Sequence, residues 1–288
     1  MIAHVAAAGE GRGRVVLWLG SSSQASAPAI DAAMLLARAY QSEVESLFVE
    51  DRQLFDLAEF PFARALDSDG ESWRPLPRES LERDMHFLGA ALQRQVADAA
   101  RRNDIPFSSR VVRDDPLSAV ASACAENGPW NVVAIAEPFG AGDEKRLAEV
   151  FARVLDTTGV VIAGPLARRT QGPVVAAVEQ FERLGPMLKA AERLATVTGG
   201  DVKLMLIGSR PDELAWLEGE VRLLFGDNEG PQIETVLAAT ADVVPVAEAV
   251  RRHKGAFLLA QYGGQVVSAE TSLRPLSSAL ECPLLLVR

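Results

Sequence analysis

Two stretches of this sequence repeat one another, and the repeat constrains the fold more than any short motif does. Residues Pro28–Val49 align without a gap with residues Pro186–Ile207, at an offset of 158 residues. Each stretch has the pattern of a helix with a small apolar stripe that runs into a strand, and each follows an apolar strand, Arg14–Leu19 or Pro173–Val178. The aligned identities are Pro28/Pro186, Ala32/Ala190, Ala33/Ala191, Leu36/Leu194, Ala37/Ala195 and Val44/Val202. The sequence therefore predicts a tandem duplication of one α/β unit.

The order of elements within each copy indicates a parallel sheet. Apolar strands alternate with helices long enough for the right-handed crossovers that join parallel strands. Runs such as Asn131–Ala136 and Pro283–Val287 are apolar almost throughout, which is typical of strands covered on both faces. We expect a three-layer α/β/α arrangement with five strands in each copy.

The repeat divides the chain into two domains. We expect a short leader at residues 1–13, a first domain at 14–165 and a second, shorter domain at 172–288. The polar stretch Pro165–Gly172 links them. A chain of 288 residues is long enough for two domains with proper cores.

The first copy carries an insertion of residues 50–77 between its second and third strands, where the second copy has about one helix. The insertion contains Phe55, Phe60, Phe62 and Trp73, and it is too long for a plain connector. We expect a lid, a dimer surface or a docking loop. The alternative is a surface loop whose phenylalanines cover the edge of the core.

Composition and charge exclude several classes of function. The formal net charge is -10, so a nucleic acid or an anionic membrane surface would be repelled on average. No apolar run approaches the roughly 20 residues that span a bilayer, and the N-terminus lacks an export signal. Two cysteines give no disulfide framework, which fits a reducing compartment. We expect a cytoplasmic protein with no nucleic-acid partner and no membrane insertion.

Candidates for catalysis and metal binding are few. The three histidines, His4, His86 and His253, are far apart in the sequence, and neither cysteine stands in a metal-ligand spacing. Cys124 and Cys282 have the surroundings of small core residues. No serine has the G-x-S-x-G pattern of a nucleophile. We expect no catalytic residue and no metal site.

Three stretches carry a resemblance to a known family. They are VVLWLGSSSQASAPAIDAAMLLA, PVVAAVEQFERLGPMLKAAERLA and the ending ALECPLLLVR, in which Cys-Pro introduces a short last strand. With the order of elements over Arg14–Arg288, they resemble tandem universal stress proteins. The resemblance implies two Rossmann-like domains of the adenine nucleotide alpha hydrolase-like kind, each a five-stranded parallel sheet between helices. It also implies that the two domains pair through their last strands within one chain, and it leaves a further homodimer open.

Many universal stress proteins bind ATP, so the resemblance makes ATP or AMP a candidate ligand. Their sequence pattern has an acidic residue at the end of the first strand and the motif G-x2-G-x9-G-S/T after the fourth strand. The glycines of this motif let backbone N–H groups approach the phosphates. In the first copy Gly20 takes the acidic position, and Pro138 removes an N–H donor. Glu137, Asp143 and Glu144 add negative charge beside the loop. We expect ATP binding to be lost in this copy.

The second copy keeps more of the pattern. Glu179 stands at the acidic position, and Gly263-Gly264 after the fourth strand could make a small anion nest. Glu270, near the place of the later Gly-Ser, opposes phosphate. Nucleotide binding in this copy stays open.

The small-residue turn after the first strand has two interpretations. It lies where α/β proteins bind phosphates, and its serines are also ordinary N-cap residues. The candidate residues for a nucleotide or small-ligand site are therefore Gly20, Ser21, Ser22, Glu179, Gly263 and Gly264. We expect this site to hold either no cofactor or an adenine nucleotide, ATP or AMP.

These observations predict a non-catalytic protein of the universal stress type, with a binding or regulatory role in stress response. One alternative is an adenine-nucleotide-binding protein or a slow ATPase. Another is a docking or scaffold subunit that recognises a protein partner through residues 50–77.

Overall fold

The computed structural model describes residues 13–20, 27–66, 70–126, 131–136, 143–153, 157–226, 230–239, 242–268 and 273–287. The first half of the chain contains β1 Arg14–Gly20, α1 Ala27–Ala39, β2 Glu43–Asp51, α2 Arg52–Ala58, β3 Arg64–Leu66, β4 Trp73–Pro75, α3 Arg78–Arg102, β5 Phe107–Asp114, α4 Pro116–Ala125, β6 Asn131–Ala136, α5 Asp143–Arg153 and β7 Thr157–Ala163. The second half contains β8 Gly172–Val178, α6 Phe181–Thr198, β9 Gly199–Gly208, α7 Pro211–Phe225, β10 Gln232–Leu237, α8 Val244–Arg252, β11 Phe257–Gln261, α9 Arg274–Ala279 and β12 Leu284–Val287.

Ten strands form one continuous sheet in the order β10-β9-β8-β11-β12-β7-β6-β1-β2-β5. Neighbouring strands within each half are parallel, and each half follows the same relative order from its outer edge to its last strand. The predicted α/β class with parallel sheets is confirmed.

The last strands of the two halves, β7 and β12, are hydrogen-bonded to each other and run antiparallel. Leu284 lies opposite Ile162, and Val287 lies opposite Gly159. A β-carbon at Gly159 would lie 2.8 Å from the carbonyl oxygen of Leu286, so the glycine permits the close approach of the two backbones. This pair of strands joins the halves into a single sheet.

A hydrophobic core lies on each face of the sheet, because successive side chains of a strand point to opposite faces. Along β1, Leu17 belongs to one core and Val16 to the other, and both are fully buried. The first core is covered by α1, α3, α6 and α7, and the second by α4, α5, α8 and α9. Each core includes residues of both halves.

Helix α6 begins at Phe181 and contains Pro186 in its second turn. A proline in the second turn removes one N–H from the helix ladder without ending the helix. The apolar stripe of Leu184, Met187 and Ala191 is buried against the sheet and holds the helix in place.

The insertion 50–77 contains α2 and an antiparallel hairpin of β3 and β4. Phe55 is buried against Leu81, and the guanidinium of Arg113 lies 3.8 Å from the centroid of its ring. Phe62 and Trp73 are 74% and 62% exposed. One phenylalanine therefore covers the edge of the core, while other aromatic residues of the segment face solvent.

Candidate functional site

The carboxyl ends of β8 and β11 bring three of the predicted site residues together. These strands are adjacent and parallel, so the residues that follow them meet at one edge of the sheet. Glu179 directly follows β8, and Gly263 and Gly264 follow β11 after Tyr262.

The carboxylate of Glu179 accepts hydrogen bonds from two consecutive backbone amides of the loop after β11. The N–H of Gln265 donates to Oε2, and the N–H of Val266 donates to Oε1 at 3.0 Å. The loop is closed by a hydrogen bond from the N–H of Gly263 to the carbonyl oxygen of Val267, at 2.8 Å. We call residues 262–267 the amide turn.

The two glycines permit this arrangement for different reasons. Gly263 has a φ of +82°, a left-handed conformation that side chains with a β-carbon rarely adopt. A β-carbon at Gly264 would lie 2.9 Å from Glu179 Oε1 and closer still to Oε2. Gly264 thus leaves room for the carboxylate to reach the amides.

The residues of the amide turn do not fit the phosphates of a nucleotide. Consecutive amide N–H groups are the donors that such turns offer to an anion, and here those of Gln265 and Val266 donate to Glu179. A phosphate at this point would have to displace a carboxylate of the same chain and would meet its negative charge.

The candidate turn of the first half lies elsewhere. Gly20 ends β1, which is separated from β8 in the sheet by β6, β7, β12 and β11. The structure therefore does not bring Gly20 to the amide turn. Ser21 and Ser22, like Glu137 and Pro138, lie outside the described residues.

A cavity of about 410 Å³ opens beside Glu179. It extends from the ends of β8 and β9 to the first turns of α7, and it is lined by Glu179, Ile207, Gly208, Asp212, Glu213, Trp216, Leu217 and Gln265. The volume is within the range of small-molecule sites, which is roughly 300–1,000 Å³.

The charges of the cavity are mostly negative. Arg210 pairs with Asp212 at 3.4 Å and with Glu213 at 2.9 Å, and the hydroxyl of Ser209 also donates to Glu213. Within the described ranges, Glu179 forms no ion pair. The described lining therefore carries three carboxylates, of which Asp212 and Glu213 pair with Arg210.

Sequence reasoning missed Trp216, Asp212 and Glu213. Acidic residues in the first turn of a helix are common because they complement the helix dipole, so these two carried no signal of their own. Trp216 did carry a signal in the sequence, because it lies off the apolar stripe of Leu214 and Leu217 on this helix. The structure shows that its side chain is 59% exposed.

His86, His253, Cys124 and Cys282 are not among the residues that line this cavity, and His4 lies outside the described residues. His253 is the C-cap residue of α8, and its ring contacts Glu234 and Lys203. Cys124 and Cys282 are buried core residues, as predicted, and burial raises the pKa of the Cys282 thiol to about 12.

Two searches for further features gave negative results. Over the described part of the chain, no group of three or more His, Cys, Asp or Glu side chains is arranged to hold a metal ion. No helix among the same residues is both long and apolar enough to cross a membrane.

Comparison with solved structures identifies the fold as that of universal stress proteins. The chain is similar to a protein of unknown function from Pseudomonas aeruginosa PAO1 (TM-score 0.58, 15% identity, 96% of this chain and 92% of that chain). It is also similar to a putative universal stress protein from P. aeruginosa UCBPP-PA14 (TM-score 0.57, 15% identity, 96% and 93%). A universal stress protein from Archaeoglobus fulgidus gives a TM-score of 0.57 at 14% identity over 95% and 98% of the two chains.

No protein-family model matches the sequence, and no curated protein is significantly similar to it. At these identities the structural likeness establishes the fold, and the function must be argued from the site.

Proposed function

We propose that this chain is a universal-stress-type protein that acts by binding or regulation, without catalysis, and that its second half does not bind nucleotide phosphates. The observation that carries the proposal is the hydrogen bonding of Glu179 to the amides of Gln265 and Val266. An internal carboxylate on these donors disfavours a phosphate group there.

The lining of the cavity supports a non-catalytic role. Its eight residues include carboxylates and apolar side chains but no histidine, cysteine, serine or lysine. Among the described lining residues there is therefore no hydroxyl, thiol or amine nucleophile and no histidine base for acyl transfer of the Ser–His or Cys–His kind. Binding through the cavity is the role that these residues favour.

Calorimetric titration with ATP, AMP and inorganic phosphate tests the proposal. We expect no binding by the wild-type protein, and we expect Glu179→Ala to gain weak phosphate binding because two amides become free. Glu182→Ala removes a nearby exposed carboxylate on α6 and serves as the control, with no expected gain. Micromolar binding of ATP by the wild-type protein would refute the proposal and favour the nucleotide-binding alternative.

A docking role for the insertion 50–77 is a second candidate. The rings of Phe60 and Phe62 stack with centroids 5.3 Å apart, and both are exposed, as is Trp73. Exposed aromatic residues anchor many protein interfaces.

Limited proteolysis of this segment, with and without a cell extract that contains candidate partners, tests the docking role. Protection of the wild-type segment that is lost in Phe62→Ser would support it. Leu223→Ser, at an exposed apolar residue of α7 in the other half, is the matched control. Equal cleavage with and without the extract would argue against docking through this segment.

A further inference from the structure

The cavity beside Glu179 is lined by carboxylates and, among the described lining residues, by no cationic side chain. Its polar side chains are Glu179, Asp212, Glu213 and Gln265. The Oε1 atom of Gln265 is buried, and no group in the described ranges donates a hydrogen bond to it. An unpaired buried acceptor is unfavourable, so a ligand that brings N–H donors would be stabilised here.

The backbone amides and the guanidinium nearest to the cavity already bond to its carboxylates. The amides of Gln265 and Val266 donate to Glu179, and the guanidinium of Arg210 pairs with Asp212 and Glu213. An anionic ligand would therefore meet three carboxylates, with only the neutral donors of Gln265 and Trp216 to offset their charge. A cationic ligand would gain from the excess of negative charge.

An apolar surface lies beside these carboxylates. Ile207 and Leu217 are buried side chains that line the cavity, and Trp216 presents an exposed indole. The face of a tryptophan ring attracts cations and also stacks on flat apolar groups. A carboxylate set next to an indole is the combination that organic cations need.

We infer that this cavity binds an organic cation, namely an ammonium or guanidinium group carried on a small apolar or aromatic body. The cation faces Glu179 and Glu213, and the apolar body lies against Trp216 and Leu217. The inference rests on the proposed function, since it names the class of ligand for a cavity that does not take phosphates.

Three probes of similar shape and different charge test this inference by calorimetry on the full-length protein. They are phenethylamine as the cation, 2-phenylethanol as the neutral analogue and 3-phenylpropionate as the anion. We expect phenethylamine to bind about tenfold more tightly than 2-phenylethanol, and we expect 3-phenylpropionate not to bind.

Two pairs of variants assign the binding to this cavity. Trp216→Leu should weaken phenethylamine binding about fivefold or more, whereas Trp73→Leu, at an equally exposed tryptophan of the insertion, should leave it unchanged. Glu213→Gln should reduce the preference for phenethylamine over 2-phenylethanol. Glu218→Gln, which lies on the same helix and pairs with Arg222, should not.

Equal affinity for the cation and the neutral analogue would overturn the inference, as would binding that Trp216→Leu leaves intact or no binding of phenethylamine at all. None of the probes contains phosphate. The ATP titration therefore tests the proposed function separately. A failure of the organic-cation inference can be told apart from a failure of the proposed function.

Discussion

The rings of Phe151 and Tyr262 stack with centroids 4.0 Å apart and planes 9° from parallel. Phe151 lies on α5 in the first half, and Tyr262 begins the amide turn of the second half. The N–H of Tyr262 also donates to the carbonyl oxygen of Val287, next to the junction of β7 and β12. The turn that binds Glu179 is therefore held in part by the opposite half of the chain.

Truncation of Phe151 should loosen both the junction and the amide turn. Phe151 is 4% exposed, and Phe151→Ala should lower the free energy of unfolding by about 3–5 kcal/mol. Amide hydrogen exchange at Gln265 and Val266 should become faster in the folded state. Phe62→Ala, at an exposed ring, should change the stability by less than about 0.5 kcal/mol. Unchanged exchange in the amide turn would contradict the coupling.

The glycine at 264 should be required for the position of Glu179. In Gly264→Ala the new β-carbon would overlap the carboxylate, so both hydrogen bonds to it should break or stretch. We expect a loss of about 1–3 kcal/mol in the free energy of unfolding, measured by urea denaturation.

Gly219→Ala is the control for that substitution, because nothing lies within 4 Å of a β-carbon at this position of α7. It should raise the stability by up to about 1 kcal/mol, since alanine favours a helix over glycine. If the two variants had the same stability, Gly264 would not have the role described.

Two glutamates that share one arginine should differ in their contribution to stability. Glu45 has a side chain only 2% exposed and pairs with both Arg14 and Arg110, the latter at 2.9 Å. Glu43 pairs with Arg14 at 2.7 Å, but its side chain is 36% exposed. Glu45→Ala should lower the free energy of unfolding by about 1.5–3 kcal/mol, because it removes charge-assisted hydrogen bonds to a buried carboxylate, while Arg14 and Arg110 keep Glu43 and Glu126 as partners.

Glu43→Ala should lower the free energy of unfolding by less than about 1 kcal/mol, since water screens the exposed pair. Urea denaturation of both variants gives the comparison. A larger loss in Glu43→Ala than in Glu45→Ala would mean that burial does not set the strength of these pairs.

The two tyrosines of the chain should ionise late. Burial raises the pKa of Tyr40 to about 12, although Arg193, whose guanidinium lies 5.5 Å from the ring, acts to lower it. Burial also raises the pKa of Tyr262. Ultraviolet titration of the folded protein should show one tyrosine, Tyr40, that ionises near about pH 12, whereas in the unfolded chain both tyrosines should titrate near about pH 10.

The sign of the linked stability follows from these shifts. Folding favours the neutral phenol of Tyr40, so its contribution is complete below pH 10 and is lost as the pH rises towards about 12. Arg193→Ala should raise the pKa of Tyr40 further, and Arg222→Ala, at an exposed arginine of α7, should not. A fall in the tyrosine titration midpoint in Arg193→Ala would contradict this.

Regular elements with strong periodicity were predicted well. The strand predicted at Asn131–Ala136 is β6 with the same bounds, and the one at Pro173–Val178 is β8 within one residue. Strands covered on both faces must be apolar throughout, so they are visible in the sequence. The helix and hairpin of 50–77 were not predicted, because three-residue strands leave no periodic pattern and the segment has only a small cluster around Phe55.

The sequence by itself determined the alternation of strands and helices, the likeness of the two halves, and the presence of Glu179 and of Gly263-Gly264 after two apolar strands. Only the tertiary structure decided which groups meet. Glu179 is bonded to amides 86 and 87 residues further along the chain, and Trp216 and Glu213 share a cavity with it. The physical reason is that parallel strands distant in sequence end at the same edge of the sheet. A carboxylate there finds its partners by the order of strands rather than by spacing along the chain.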